Sequence, residues 1–409
     1  MAQRPKALAK IILKPVLDYV EFTRLPAAAK RAVRVDAAGL PAFDPGPEAA
    51  ITAAIDWLGR AQDCSRSADG GVARHYSLLT GWGSSYPETT GYIVPTMLEQ
   101  AARRGNDQLR ERARRMLDWL VRIQYPEGSF RGGVVDQTPA VPVTFNTGQI
   151  LLGLAAGAGA LGDRYREPMG RAADWLASSL DSDGCWRRHR TPFASADDKS
   201  YETHVSWGLF EACRVDPNPG WSDAGMRQVR WALTKQRSNG WMEECCLEDA
   251  ANPLTHTLGY ALRGILECWR FSRQQEFLQA AARLADGLSA AQRADGSLPG
   301  RLRSDWSSGA PWVCLTGNVQ IAHCWLILFG ETGERRYRDA GFAANAFVRR
   351  TVSCDGPDNI RGGVKGSFPA SGDYGKFEYL NWAAKFFIDS NQAELDLQQD
   401  RATDRAPGS

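Results

Sequence analysis

MGRAADWLASSLDSDGCW, residues 169–186, carries two signals in one stretch. Ala172, Ala173, Leu176 and Leu180 recur at three- and four-residue spacing, the period of one helix face, with Arg171 and Asp174 on the other side. Asp183-Gly184 then ends the helix, because such a pair tolerates the left-handed backbone region and marks a turn. Trp186 follows as an anchor for that turn. The same punctuation returns at Gly70, Gly128, Gly184, Gly240, Gly296 and, more weakly, Gly356, at intervals of 56 to 60 residues. A fixed period of this length is the mark of a repeat architecture.

An amphipathic helical pattern precedes each turn: AAITAAIDWLGRAQ, LRERARRMLDWLVRIQ, MGRAADWLASSL, MRQVRWALTKQ, FLQAAARLADGLSAAQ and RDAGFAANAFVRRTV. A more uniformly apolar helix follows each turn, as in NTGQILLGLAAGAGA and GNVQIAHCWLILFG. A helix that is apolar nearly all round is surrounded by protein. Six pairs alternating in this way, with few strand signals, predict an all-α protein: a closed (α/α)6 toroid (barrel) of six outer–inner helical hairpins. The toroid is expected over residues 46–392, with an N-terminal basic helical extension over 1–45 and a disordered C-terminal tail over 393–409. Outer-to-inner connections are long (about 63–87, 125–143, 181–200, 237–252, 293–314 and 353–376) and inner-to-outer ones are short. All the long loops therefore emerge at one end, beside the starts of the inner helices, and long loops on a rigid scaffold carry function.

The 409 residues are 43% apolar and 23% charged, with a net charge of +2, so nothing in the overall charge points to nucleic acid. Nine cysteines, an odd count without paired spacings, fit a reducing compartment and argue against a disulfide framework. No Cys-x-x-Cys or His-x-x-x-His pair is present, so neither a structural metal nor a cofactor is expected. The basic N-terminus, MAQRPKALAKIILKPVLDYVEF, is interrupted by Lys14 and Pro15 and is too short for a signal-peptide core or a membrane span. It reads as a helix packed on the body or as an amphipathic helix on a membrane surface. The expected location is the cytoplasm, with peripheral membrane contact through that helix.

Aligned by their apolar patterns, the inner helices bring comparable polar residues to one depth. In order these are Glu88 with Tyr92, Asn146 with Gln149, Glu202 with His204, His256 with Tyr260, Asn318 with Gln320, and Asn381 with Trp382. Thr and Asn at helix starts also serve as caps, and carboxylates there are favoured by the helix dipole. The candidates for proton transfer are Glu88, Tyr92, Glu202, His204, His256 and Tyr260. Asn146, Gln149, Asn318, Gln320, Asn381 and Trp382 are candidates for binding substrate. The long loops add aromatic faces suited to sugar rings or isoprenoids at Trp82, Trp186, Trp241, Trp312 and Tyr374. They also add guanidinium forks suited to carboxylate or sulfate at Arg131, Arg188 and Arg303, with Arg74-His75 nearby.

The helix–Gln–x–Asp–Gly–aromatic punctuation resembles the repeats of squalene cyclases and protein prenyltransferase β subunits. The twelve helices and the length are similar to six-hairpin glycosidases, (α/α)6 polysaccharide lyases and sugar 2-epimerases. Ser195-Ala196-Asp197-Asp198 lacks the first Asp of the cyclase acid motif, and the zinc ligands of the prenyltransferases have no counterpart. The resemblance implies a toroid, and the polar ring with its aromatic and basic loops points first to a carbohydrate-active enzyme working on an anionic, uronate-containing poly- or oligosaccharide. Hydrolysis would pair Glu88 with Glu202 as acid and base. Elimination or epimerisation would use Tyr or His beside a neutralised carboxylate. The alternatives are a terpenoid-cyclase or prenyl-binding toroid, which predicts an apolar pocket with one isolated acid, and a non-catalytic binding or assembly protein, which predicts a filled cavity and unperturbed mouth residues.

Overall fold

The computed structural model describes residues 22–405, and side chains as far as Gln399. A helix, α1 (Ala27–Ala37), precedes the repeats. The outer ring consists of α2 (Pro47–Asp63), α4 (Asp107–Ile123), α6 (Arg166–Ser179), α8 (Pro219–Leu233), α10 (Gln275–Ala291) and α12 (Arg335–Arg349). The inner ring consists of α3 (Pro87–Arg104), α5 (Thr144–Leu161), α7 (Thr203–Val215), α9 (Thr255–Ser272), α11 (Leu315–Thr332) and α13 (Asn381–Arg405). Each inner helix packs on its inner neighbours, and α13 packs on both α2 and α3, so the last repeat meets the first. Hydrogen bonds from Gln100 to Gln392 (2.9 Å) and from Thr96 to Asp389 (2.6 Å) cross that seam.

The period seen in the sequence has a physical cause. Gln62, at the end of α2, donates through its amide to the carbonyl of the turn glycine Gly70 (3.0 Å) and to that of Arg112 on the next outer helix (3.1 Å). Gln124 does the same to Gly128 and Pro168, Gln236 to Gly240 and Ala280, and Gln292 to Gly296 and Ala340. The turn glycines hold positive φ, and a Cβ on Gly128, Gly240 or Gly296 would overlap a backbone carbonyl of the following outer helix. The first five turns are thus wedges between successive outer helices, and in the sixth repeat Gly362, not Gly356, makes that contact, against the Ala53 carbonyl of α2. Leu180 and Val352 stand where the third and sixth repeats would carry the Gln.

The inner ring is equally tight. A Cβ on Gly153 of α5 would overlap the carbonyl oxygen of Gly91 on α3, so these two helices approach at a distance that only glycine permits. Short links such as Gly105-Asn106 and Gly333-Glu334 turn each inner helix directly into the next outer one, while the long loops gather at the other end. Small antiparallel pairings brace those loops. Strand β1 (His75–Ser77) lies between β2 (Gly81–Trp82) and β5 (Glu378–Leu380), and β3 (Val313–Cys314) pairs with β4 (Ser367–Phe368).

One expectation at the chain ends needs revising. The polar segment after Asn391 is helical as far as it is described: α13 runs on to Arg405. Glu394 accepts from Arg349 (2.7 Å) and Asp396 from Arg103 (2.8 Å), which fastens the polar face of this segment to the body. At the other end α1 is held by buried Asp36, which accepts from Lys365 (2.6 Å) and from the Ala370 amide (2.7 Å). Residues 1–21, on which the membrane-surface reading falls, lie outside the described residues. Among the described residues no helix is long and apolar enough to cross a membrane.

Candidate active site

A cavity of about 460 Å3 opens at the end where the inner helices begin. Glu88 and Tyr92 of α3, Asn146 of α5, His256 and Tyr260 of α9, Trp382 of α13 and Tyr374 from the preceding loop all line it, as the sequence predicts. Arg74, Tyr86, Phe145 and Tyr201 join them, and Gln137, Phe193 and Leu247 reach in from three long loops.

Glu88 is the one carboxyl among the described lining residues. It sits in the first turn of α3, where Pro87 occupies a helix-opening position. Its Oε2 accepts from the Tyr86 hydroxyl at 2.6 Å. Burial pushes its pKa up to about 7, against the opposing pull of that hydroxyl and of Arg74. At neutral pH this carboxyl is therefore poised to give or take a proton.

His256 faces the same space. Its Nδ1 lies 2.5 Å from Oε1 of Gln320, so Nδ1 carries the hydrogen and Nε2 is left as an acceptor. Burial lowers its pKa to about 4, and the ring is neutral at pH 7. Its centroid lies 4.3 Å from the Tyr260 ring and 5.3 Å from the Tyr374 ring. Burial holds the phenols of Tyr86, Tyr92, Tyr260 and Tyr374 protonated, so they offer hydroxyl donors. Asn146 Nδ2 is buried without a hydrogen-bond partner among the described residues. Arg74 is the cation at the wall. It pairs with Glu378 (2.9 Å) and lies 5.1 Å from the Trp382 ring centre, while Trp382 Nε1 donates to the Tyr374 hydroxyl (2.8 Å).

Other predicted residues are placed elsewhere, each for a definite reason. Glu202 does not line the cavity. It ends a short 3-10 turn, Ser200–Glu202, so the register slips by one and Tyr201 takes the cavity-facing position. Glu202 is buried beside Arg190 and Lys199, its Oε2 has no partner among the described residues, and burial raises its pKa to about 8. His204 lies one level deeper, with Nδ1 2.7 Å from Gln149 Oε1 and its ring 4.5 Å from that of Tyr260. Gln149 and Gln320 therefore orient histidines.

Asn318 is a brace: its Oδ1 accepts from the Leu298 amide and its Nδ2 donates to the Ala344 carbonyl. Thr90 and Thr147 play the same part, accepting from the amides of Val72 and Phe130, each two residues past a turn glycine. Asn381 joins the seam through the Ala73 carbonyl and the Thr89 hydroxyl.

Most of the loop candidates hold loops. Arg131 donates to carbonyls of its own loop, at Val135 (2.5 Å) and Gln137. Arg188 is an exposed partner of Asp181, and Arg303 donates to the nearby Ser308 carbonyl. Trp82 packs on Trp57 and Tyr76, and Trp241 on Trp306. Trp186 is buried with Nε1 on the Leu176 carbonyl. Trp312 lines a separate surface groove near α1. Of the lining residues outside the sequence candidates, Tyr86, Phe145 and Tyr201 stand within two positions of a candidate, whereas Gln137, Phe193 and Leu247 come from loops with no such neighbour.

A family model described as the squalene-hopene cyclase C-terminal domain matches residues 86–276. Among solved structures, the chain is similar to an unsaturated glucuronyl hydrolase specific for heparin, with 15% identity, a TM-score of 0.69, and 86% of this chain and 97% of that one covered. It is similar to a D-mannose isomerase, with 12% identity, a TM-score of 0.68, and 87% and 99% covered. A cellobiose 2-epimerase from Bacillus thermoamylovorans B4167 follows, with 10% identity, a TM-score of 0.66, and 83% and 96% covered. The fold is the six-hairpin α/α toroid. Likeness at these identities establishes that architecture and leaves the chemistry to the site. No curated protein sequence matches the chain.

Proposed function

We propose that the chain is a carbohydrate-active enzyme that moves a proton on a uronate-containing oligosaccharide. The observation that carries this reading is Glu88: a lone carboxyl with a pKa of about 7, opening into a cavity walled by aromatic and hydroxyl-bearing side chains. Glu88 is the acid–base group, and His256 Nε2 is the second proton acceptor. Asn146 Nδ2 and Arg74 receive the sugar carboxylate, and Trp382 and Tyr374 offer faces for the ring. The similar structures act on sugars by name, as glucuronyl hydrolase, epimerase and isomerase, which supports the substrate class.

Elimination or epimerisation beside the carboxylate fits this arrangement better than hydrolysis by two carboxyls, since Glu202 stands outside the cavity. The test is incubation with uronate oligosaccharides in deuterated water. Products absorbing in the ultraviolet mark elimination, deuterium at the carbon bearing the carboxylate marks epimerisation, and new reducing ends without either mark hydrolysis. Full activity in Glu88→Gln overturns the assignment of Glu88.

One specific observation favours a second reading. A single acid in an aromatic cavity is what an isoprenoid cyclase would need, and the matched family model is of that kind. Uptake of a polyprenyl substrate with no response to sugars would decide for it. An open cavity with a shifted Glu88 speaks against the purely structural alternative.

A further inference from the structure

The toroid has a second opening on its axis. Below the mouth cavity, Tyr92, His204, Tyr260 and Phe386 close the channel with ring-to-ring contacts of 4.5 to 6.5 Å. Beyond this septum lies a pocket of about 220 Å3, whose charged and titratable lining is Arg263 of α9, His323 of α11, Lys385, Asp389 and Asp396 of α13, and Glu99 of α3. Arg263 stands two helical turns past His256, roughly 10 Å deeper along the axis at 1.5 Å per residue.

Buried charge is an expensive way to fill a toroid. Lys385 is 2% exposed and Arg263 12% exposed, and replacing such groups by apolar ones often leaves a fold as stable or more so. Their retention around an open pocket points to a ligand.

Hydrogen-bonding capacity decides which kind. The acceptors in this pocket are largely used. Asp389 accepts from Thr96 (2.6 Å) and Lys385 (2.5 Å), Glu99 accepts from Arg103 Nε through Oε1 (2.9 Å), and Asp396 accepts from Arg103 through both oxygens. The donors are not. The Lys385 ammonium has three N–H groups and gives one hydrogen bond, to Asp389, while it lies 4.6 Å from the Phe386 ring centre. Arg263 gives Nε to Glu267 (2.7 Å) and Nη1 to His323 Nδ1 (3.1 Å), while its Nη2 has no hydrogen-bond partner among the described residues. Because His323 Nδ1 accepts, its Nε2 carries the hydrogen and is a further donor. Spare donors from three adjacent inner helices thus converge on one small space.

We propose that this axial pocket binds a small hydroxylated carboxylate, of the size of a single sugar acid, with the carboxylate on Lys385, Arg263 and His323. Its volume lies below the roughly 300 Å3 at which pockets for drug-sized ligands begin, so an oligosaccharide does not fit. The site is separate from the mouth cavity and does not depend on what that cavity does.

Calorimetric titration of the full chain with D-glucuronate, with D-glucose as the neutral control, tests this, together with crystals soaked in D-glucuronate. The expected result is density for the acid in the axial pocket and binding weakened about 10-fold or more in Lys385→Met, the loss of a charge-assisted hydrogen bond. D-glucose is expected not to bind there, and Glu88→Gln is expected to leave axial binding intact even where it abolishes turnover. His323→Gln gives an independent reading should Lys385→Met fold poorly. Density confined to the mouth cavity, or wild-type affinity in both variants, overturns the proposal.

Discussion

Glu88 and Glu202 stand at corresponding points two repeats apart, at the starts of α3 and α7, and burial raises both well above the ordinary carboxyl value of 4.5, to about 7 and about 8. Glu88 opens into the cavity with a tyrosine hydroxyl on it, while Glu202 is sealed behind its own loop. The difference arises from one turn of backbone: Pro87 starts α3 cleanly, whereas a 3-10 turn before α7 carries Tyr201 to the cavity instead. A perturbed pKa thus measures burial, and access separates a working carboxyl from a stranded one.

The largest effect that tests this contrast is on rate. Glu88→Gln is expected to lower turnover of a uronate oligosaccharide by roughly 10²–10⁴-fold, the range for losing a general acid or base, while Glu202→Gln stays near the wild type. Equal losses in both variants would erase the distinction.

The second effect is on stability and pH, and here the two carboxyls should behave alike. Each has a folded-state pKa above its unfolded value. The associated stability is therefore complete below about pH 4.5. It is lost as pH rises through about 7 for Glu88 and about 8 for Glu202. At about 1.4 kcal/mol per unit the loss is on the order of 3 to 5 kcal/mol for each. Urea midpoints measured from pH 4.5 to 9 should fall, and either Gln variant should flatten that fall. A wild-type midpoint independent of pH would mean that neither carboxyl is desolvated.

A third pair separates binding from bracing. Asn146→Leu removes a donor with no partner among the described residues, so binding should weaken by roughly 10-fold while stability holds or improves. Asn318→Leu removes two backbone partners and should cost about 1–3 kcal/mol of stability with substrate affinity unchanged. Isothermal titration and denaturant midpoints on both variants decide the matter. The smallest expected effect is for Thr90→Val, about 1 kcal/mol, from one loop amide left unpaired at Val72.

Much of the site was legible because the repeat fixes depth. Glu88, Tyr92, Asn146, His256, Tyr260 and Trp382 follow from lining up six apolar helices. What misled was residue type read without direction. Arg131, Arg188 and Arg303 look like anion ligands, yet each finds a partner close by in sequence, in its own loop or the nearby Asp181. Trp82, Trp186 and Trp241 look like sugar platforms, yet each is spent on packing or on the turn it follows.

The sequence by itself determined the architecture. A 56-to-60-residue period of turn glycines, preceded by Gln in four of the six copies, records a contact repeated between successive outer helices, and such local geometry leaves a mark along the chain. Tertiary structure alone decided which polar groups share the cavity, that Glu202 is excluded from it, and that Arg263, His323 and Lys385 meet at the far end. Those groupings join residues from helices far apart in the chain. They depend on the rotation and depth of each helix about a common axis, which a one-residue shift in its first turn is enough to change.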